Sequence, residues 1–261
     1  MKKYIALTLI FLVSFFLFGC AKKEEKPDDL KIIKDRGYII VGVKNDSPPF
    51  GFYNKKKHLV GLDVDIANEI AAHIFKEKSP ANVKFVEVNA QNRIAKLNSH
   101  EVDILVATMS VNDKRKLIMN FSMPYFVASQ KLMVRKTSKI THLQYFNKHG
   151  RLAVVLGTTG QKVARLIAPN ANLVGVKTYT EAYNLLINKK VDAILGDDCI
   201  LAGFKGKSLT IINRAYSREY YAVALRKSEE SKELLNRVNS AVASILDDKK
   251  INHITKKWIL Y

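Results

Sequence analysis

Apolar and polar positions along the chain follow two alternating rhythms. Tyr38-Ile-Ile-Val-Gly-Val-Lys44 is apolar almost throughout, which predicts a strand buried on both faces. Val64, Ile66, Ala67, Ile70, Ala71 and Ile74 then recur at helical spacing. Val83 to Val88 predicts a second strand, Ile94 and Leu97 mark a helix, and Asp103 to Ala107 predicts a third strand. After Tyr125 the order recurs. Strands are expected over 128–135, 152–156, 173–177 and 191–195, with helices through Val163, Leu166 and Ile167 and over 180–188. A strand at 220–225 and helices over 229–246 and 251–258 close the chain. Strand–helix alternation of this kind predicts an α/β fold with mainly parallel sheet and helices on both faces.

Shorter features fill the gaps. Lys31 to Arg36 reads as a short amphipathic helix closed by Gly37. Gly51 to Tyr53 and His58 to Val60 flank a basic turn at Lys55-Lys-Lys57, while Asn45 to Phe50 is a loop by its turn residues. Asp63 and Asp65 stand at a helix start and read as caps. Before all this, Met1-Lys-Lys precedes an apolar run from Tyr4 to Phe18. That run is shorter than the roughly 20 residues a spanning helix needs, so it reads as an export signal. Residues 20–30, charged and without apolar periodicity, are expected to form a flexible tether.

Composition narrows the function classes. Of 261 residues, 43 are Lys or Arg and 24 are Asp or Glu, a formal charge of +19 that suits an anionic partner. The basic residues are scattered, and no zinc spacing, helix-turn-helix signal or aromatic–basic interleaving accompanies them, so nucleic acid is set aside. Two cysteines, Cys20 and Cys199, exclude an internal disulfide network. Cys199 reads as a small buried apolar residue, and no His/Cys cluster calls for a metal or cofactor.

The most informative stretch runs from Asp103 through Ala107 into Thr108, Ser110 and Arg115. A buried strand that ends in hydroxyls and then delivers an arginine puts a carboxylate clamp at the carboxyl edge of the sheet, where open α/β sheets bind ligands. A guanidinium takes a carboxylate through two parallel hydrogen bonds. The alternative is a surface arginine capping a turn.

Val41-Gly-Val, Pro48-Pro-Phe-Gly51, Gly61-Leu-Asp-Val-Asp-Ile-Ala67, Asn120-Phe-Ser-Met-Pro-Tyr125, Gly157-Thr-Thr159, Val191-Asp-Ala193, Asp197 and Lys256-Lys-Trp258 occur in order. Together they resemble the periplasmic polar-amino-acid-binding proteins of ABC importers. The resemblance implies a two-lobed periplasmic-binding-protein fold of type II, a Venus flytrap with two hinge strands, near Tyr125–Gln130 and Arg214–Tyr220. Lobe 1 would comprise 31–127 plus 217–261, and lobe 2 128–216. Leu17-Phe-Gly-Cys20 resembles a bacterial lipoprotein signal, which implies a signal peptide over 1–19, lipid on Cys20, and a place in the periplasm or at the cell surface. The implied partners are an amino acid, an inner-membrane permease and the membrane reached by the lipid anchor, for a protein that acts as a monomer.

The resemblance also implies a site. Arg115, Ser110, Thr158 and Thr159 would meet the ligand α-carboxylate, Thr108 stands where glycine or asparagine is common, and Asp197 would receive the ammonium. Lys44, Arg93 and Tyr179 match relatives that bind aspartate and glutamate, and Phe50 either packs on the ligand stem or belongs to the core. Physically, a second buried cation pair calls for a second carboxylate. The alternative places Lys44 in solvent and pairs Arg93 with a local acid. Glutamine or cysteine binding, a cyclohexadienyl or arogenate dehydratase, and a lipid-tethered sensing protein are the competing readings. The dehydratase would need a general acid, and no spare cleft carboxylate presents itself.

Overall fold

In a computed structural model, residues 28–247 and 250–259 are described. The expected signal peptide, lipidated Cys20 and most of the tether lie outside them. The tether is shorter than expected at its end. Helix α1 spans Asp29–Arg36, with the Asp28 side chain accepting from the Lys31 amide and Gly37 (φ +81°) closing it in the left-handed region. Asp29 is buried there and meets Arg226 and Ser231.

Strand β1 (Ile39–Lys44) is central, as its unbroken apolar run predicts. It pairs in parallel with β5 (Val83–Val88) on one side and β6 (Ile104–Leu105) on the other. Between them come the small antiparallel strands β2 (Asp46–Ser47), β3 (Gly51–Tyr53) and β4 (Leu59–Val60), with the basic turn at the β3–β4 tip. Helix α2 (Leu62–Phe75) buries the periodic set Val64, Ile66, Ala67, Ile70, Ala71 and Ile74. Helix α3 (Arg93–Asn98) and a single turn α4 (Asp113–Lys116) complete the first half of the sheet.

The chain then makes a 17-residue strand, β7 (Met119–Arg135), which absorbs the Asn120–Tyr125 motif. Its first part pairs antiparallel with β12 (Arg218–Arg226), from Met119↔Arg226 to Ser129↔Arg218. Its second part pairs with β10 (Ala193–Asp197), from Gln130↔Asp197 to Val134↔Ala193. β8 (Arg151–Val155) and β9 (Asn172–Val176) extend that second half in parallel, and β11 (Leu209–Ile211) adds to β7. The sheet order is β5-β1-β6-β12-β7-β10-β8-β9. Helices α5 (Thr159–Ile167), α6 (Tyr179–Ile187) and α7 (Asp198–Gly203) serve the second half. Helices α8 (Lys232–Asp247) and α9 (Lys250–Trp258) return to the first.

The two halves meet where both crossing segments pair with each other. The Gln130 amide donates to the Ser217 carbonyl (3.2 Å), and the Tyr216 amide donates to Gln130 (2.9 Å). They are also pressed together away from that ribbon. A Cβ on Gly157 would lie 2.5 Å from the Ala90 carbonyl oxygen, and one on Gly203 2.5 Å from that of Pro48. The closed seam therefore needs glycine at both places.

Candidate functional site

One small cavity opens between the halves, at the carboxyl ends of the parallel strands. Its lining is Lys44, Arg93, Thr108, Ser110, Arg115, Thr158, Thr159, Tyr179 and Asp197. Nine of the ten residues expected from the sequence thus share one space. The tenth, Phe50, does not. It is fully buried in the core, edge-on to Phe126 (5.0 Å) and Tyr221 (5.3 Å).

Arg115 begins as the sequence suggests, five residues after Ser110. The Asn112 side chain caps its turn by accepting the Arg115 amide (3.0 Å). The guanidinium donates to the Ser110 carbonyl (2.8 Å) and, across the gap, to the Gly157 carbonyl (3.2 Å). Arg93 opens α3 and is 2% exposed. It donates to the carbonyls of Ala107 (2.6 Å) and Thr108 (3.3 Å), and its Nε has no partner among the described residues. Burial pushes its pKa down to about 9, with Arg115 adding to the effect. Burial lowers that of Arg115 too, against the pull of Glu219 and Asp197.

Lys44 is neither solvent-facing nor free. It is 1% exposed, its ammonium lies 3.2 Å from Asp46 Oδ1, and it donates to Ser47 Oγ. Its other side faces the Tyr179 ring at 5.0 Å. Burial lowers its pKa, and Asp46 opposes the shift.

Asp197 ends β10 and is held by Gln130, whose amide donates to its Oδ1 (2.6 Å) and to Thr159 Oγ1 (3.2 Å). Burial, with Glu219 adding to it, pushes the Asp197 carboxyl up to about 7. Thr159 donates to Glu219 (2.7 Å), and Thr158 donates to the Val155 carbonyl (2.6 Å). Thr158 is the N-cap of α5 without a side-chain bond into the helix, and it lines the cavity with Thr159, so that helix start faces the cavity. Free amides and the helix dipole there favour an anion.

Thr108 has φ +46°, a conformation that costs a threonine about 1–3 kcal/mol. This is the physical reason for glycine or asparagine at such a position. Asp63 holds the turn. It is not the helix cap expected, since Gly61 is the cap and makes no side-chain bond. Instead Asp63 is fully buried and accepts the Thr108 amide (2.8 Å) and the Tyr125 hydroxyl (2.8 Å). Burial pushes its carboxyl up to about 6. Asp65 bonds Lys257 and Trp258 at the surface.

Sequence reasoning passed over Asp46, Gln130 and Glu219. For Gln130 a signal existed. It occupies the buried phase of β7, between Ala128 and Leu132, where a polar residue needs a polar partner. Among the described residues no His/Cys/Asp/Glu group could hold a metal, and no helix is long and apolar enough to cross a membrane.

Residues 39–261 match the model of the bacterial extracellular solute-binding proteins, family 3, and the chain belongs to that family. It is 34% identical to the ABC transporter glutamine-binding protein GlnH of Bacillus subtilis (strain 168), over 99% of this chain and 98% of the relative. It is 32% identical to the glutamine-binding protein of Geobacillus stearothermophilus, over 88% and 94%. The ancestral amino acid-binding protein AncCDT-1, a precursor of cyclohexadienyl dehydratase, superposes with a TM-score of 0.81 at 28% identity, over 88% of this chain and 99% of that one. These relatives are binding proteins rather than enzymes.

Proposed function

We propose that this family member is the amino-acid-binding subunit of an ABC importer and that its guest is an acidic amino acid, glutamate or aspartate. One observation carries the choice of guest: both cavity arginines, Arg93 and Arg115, are bonded only to carbonyl oxygens among the described residues. Two guanidiniums without a carboxylate bonded to them, and one acid in the lining, suit a guest with two carboxylates and one ammonium. Arg115, Ser110, Thr158 and Thr159 take the α-carboxylate, and Asp197 takes the ammonium. Arg93, Lys44 and Tyr179 face the side-chain carboxylate, and Thr108 contributes backbone.

The halves act as lobes, 31–127 plus 217–261 and 128–216, hinged where β7 and the entry to β12 cross. The protein works as a monomer, tethered through a lipid on Cys20, and hands its guest to a permease in the inner membrane. A second reading, glutamine, is favoured by the two named relatives and by the acid already beside Lys44. Calorimetric titration of the domain from residue 28 onward with glutamate, aspartate, glutamine, cystine and arginine decides between them. Glutamate or aspartate should bind most tightly. Glutamine binding more tightly than either would overturn the choice of guest.

A further inference from the structure

Asp46 is outside the cavity lining, yet it controls one of the charges in it. It is 9% exposed and lies two residues beyond Lys44, on the short strand β2. Its Oδ1 is 3.2 Å from the Lys44 ammonium and accepts the Ser47 hydroxyl (3.0 Å), which itself accepts from Lys44. Its Oδ2 is buried without a hydrogen-bond partner among the described residues. A buried carboxylate with one satisfied oxygen is costly unless a cation compensates it, and Lys44 is that cation.

We infer that Asp46 is a specificity-determining residue: its charge offsets that of Lys44 at the side-chain end, and so sets how strongly the site prefers a carboxylate to an amide. The inference rests on the amino-acid-binding reading of the cavity. At the other end Arg115 and Asp197 balance a zwitterion. Asp63 and Glu219 sit behind the lining, engaged by Thr108 and Tyr125 and by Thr159 and Ser217. Those two carboxyls are common to every variant compared, so the Asp46 charge alone changes how positive the side-chain end is. Without it, two cations await the side chain, and discrimination against the amide must rise.

Asp46→Asn tests this, because it removes the charge and keeps the shape and the Oδ1 acceptor. The readout is the ratio of the glutamine to the glutamate dissociation constant, by calorimetry at neutral pH. At an effective dielectric of about 20, a unit charge acting over roughly 10 Å or less changes that ratio about tenfold or more. The ratio should rise in Asp46→Asn, stay near wild type in Asp46→Glu, and return toward wild type when Lys44→Met is added to Asp46→Asn. An unchanged or lower ratio in Asp46→Asn would overturn the inference alone. So would an Asp46→Glu protein that moves it as far, since the role would then be packing. Failure of the wild-type protein to bind any amino acid would overturn the proposed function and this inference with it.

Discussion

Gly203→Ala separates lobe closure from folding. The new Cβ would stand 2.5 Å from the Pro48 carbonyl oxygen, 2.9 Å from its carbon and 3.2 Å from its Cβ. Ordinary contact begins near ~3.4 Å, and two of the three atoms are backbone, so the seam must part by about 1 Å. Overpacking of that kind costs about 1–3 kcal/mol, which is roughly 5- to 150-fold in affinity. An open form, with Gly203 and Pro48 apart, would not feel the clash. Gly203 ends α7 outside the left-handed region, and alanine is a better helix former by up to about 1 kcal/mol. The two effects thus have opposite signs. Calorimetry should report weaker binding, while the ligand-free melting temperature holds or rises. Affinity within twofold of wild type would refute closure at this seam. A ligand-free melting temperature that falls in step with affinity would place the clash in the resting state instead.

Two further outcomes follow from the buried carboxyls. Asp197, pushed up to about 7, is protonated in the ligand-free closed state below that pH and must ionise to receive an ammonium; affinity should therefore fall as pH drops through 7, approaching tenfold per unit, and a flat profile between pH 5 and 7 by calorimetry would exclude Asp197 as the ammonium partner. Asp63→Asn leaves one carbonyl oxygen where two donors, the Thr108 amide and the Tyr125 hydroxyl, are aimed; urea unfolding should show a loss of about 1–3 kcal/mol, and no loss would mean the Thr108 turn holds itself.

Much of this arrangement was legible in the sequence because its signals are local. The unbroken apolar run of β1 and the 3.6-residue spacing of α2 follow from burial alone. The position of Ser110 and Arg115 at the cavity follows from where a strand stops being apolar. What was hidden depends on atoms far apart in sequence. Asp63 looks like a helix cap, and only its 2.8 Å bonds to Thr108 and Tyr125 reveal otherwise. Phe50 sits in a loop beside the cleft, but the rings of Phe126 and Tyr221 draw it into the core. Asp46 is the subtlest case. In the sequence Lys44 is a cation awaiting a guest; in the fold an acid two residues along the chain answers it. The bend at Asn45 between β1 and β2 brings that pair together, which no periodicity records.

The charges also explain why closure and selectivity are one event. Closing the seam buries Arg93 against carbonyl oxygens and Asp197 against an amide, neither in a direct ion pair among the described residues. Burial depresses the Arg93 pKa and raises the Asp197 pKa, the direction in which such a penalty acts. Against it, the side-chain bonds across the gap among the described residues are modest: Arg115 to the Gly157 carbonyl, Thr159 to Glu219, and Lys44 against the Tyr179 ring. Each is worth about 1 kcal/mol. A guest that meets both unbalanced ends removes the penalty, and a ligand moves a two-state equilibrium only by its difference in affinity for the two states. On the proposed reading, a guest lacking the second negative charge would leave Arg93 buried and unanswered, and the lobes would reopen around it. Discrimination then resides in the cost of shutting rather than in the number of contacts made once shut.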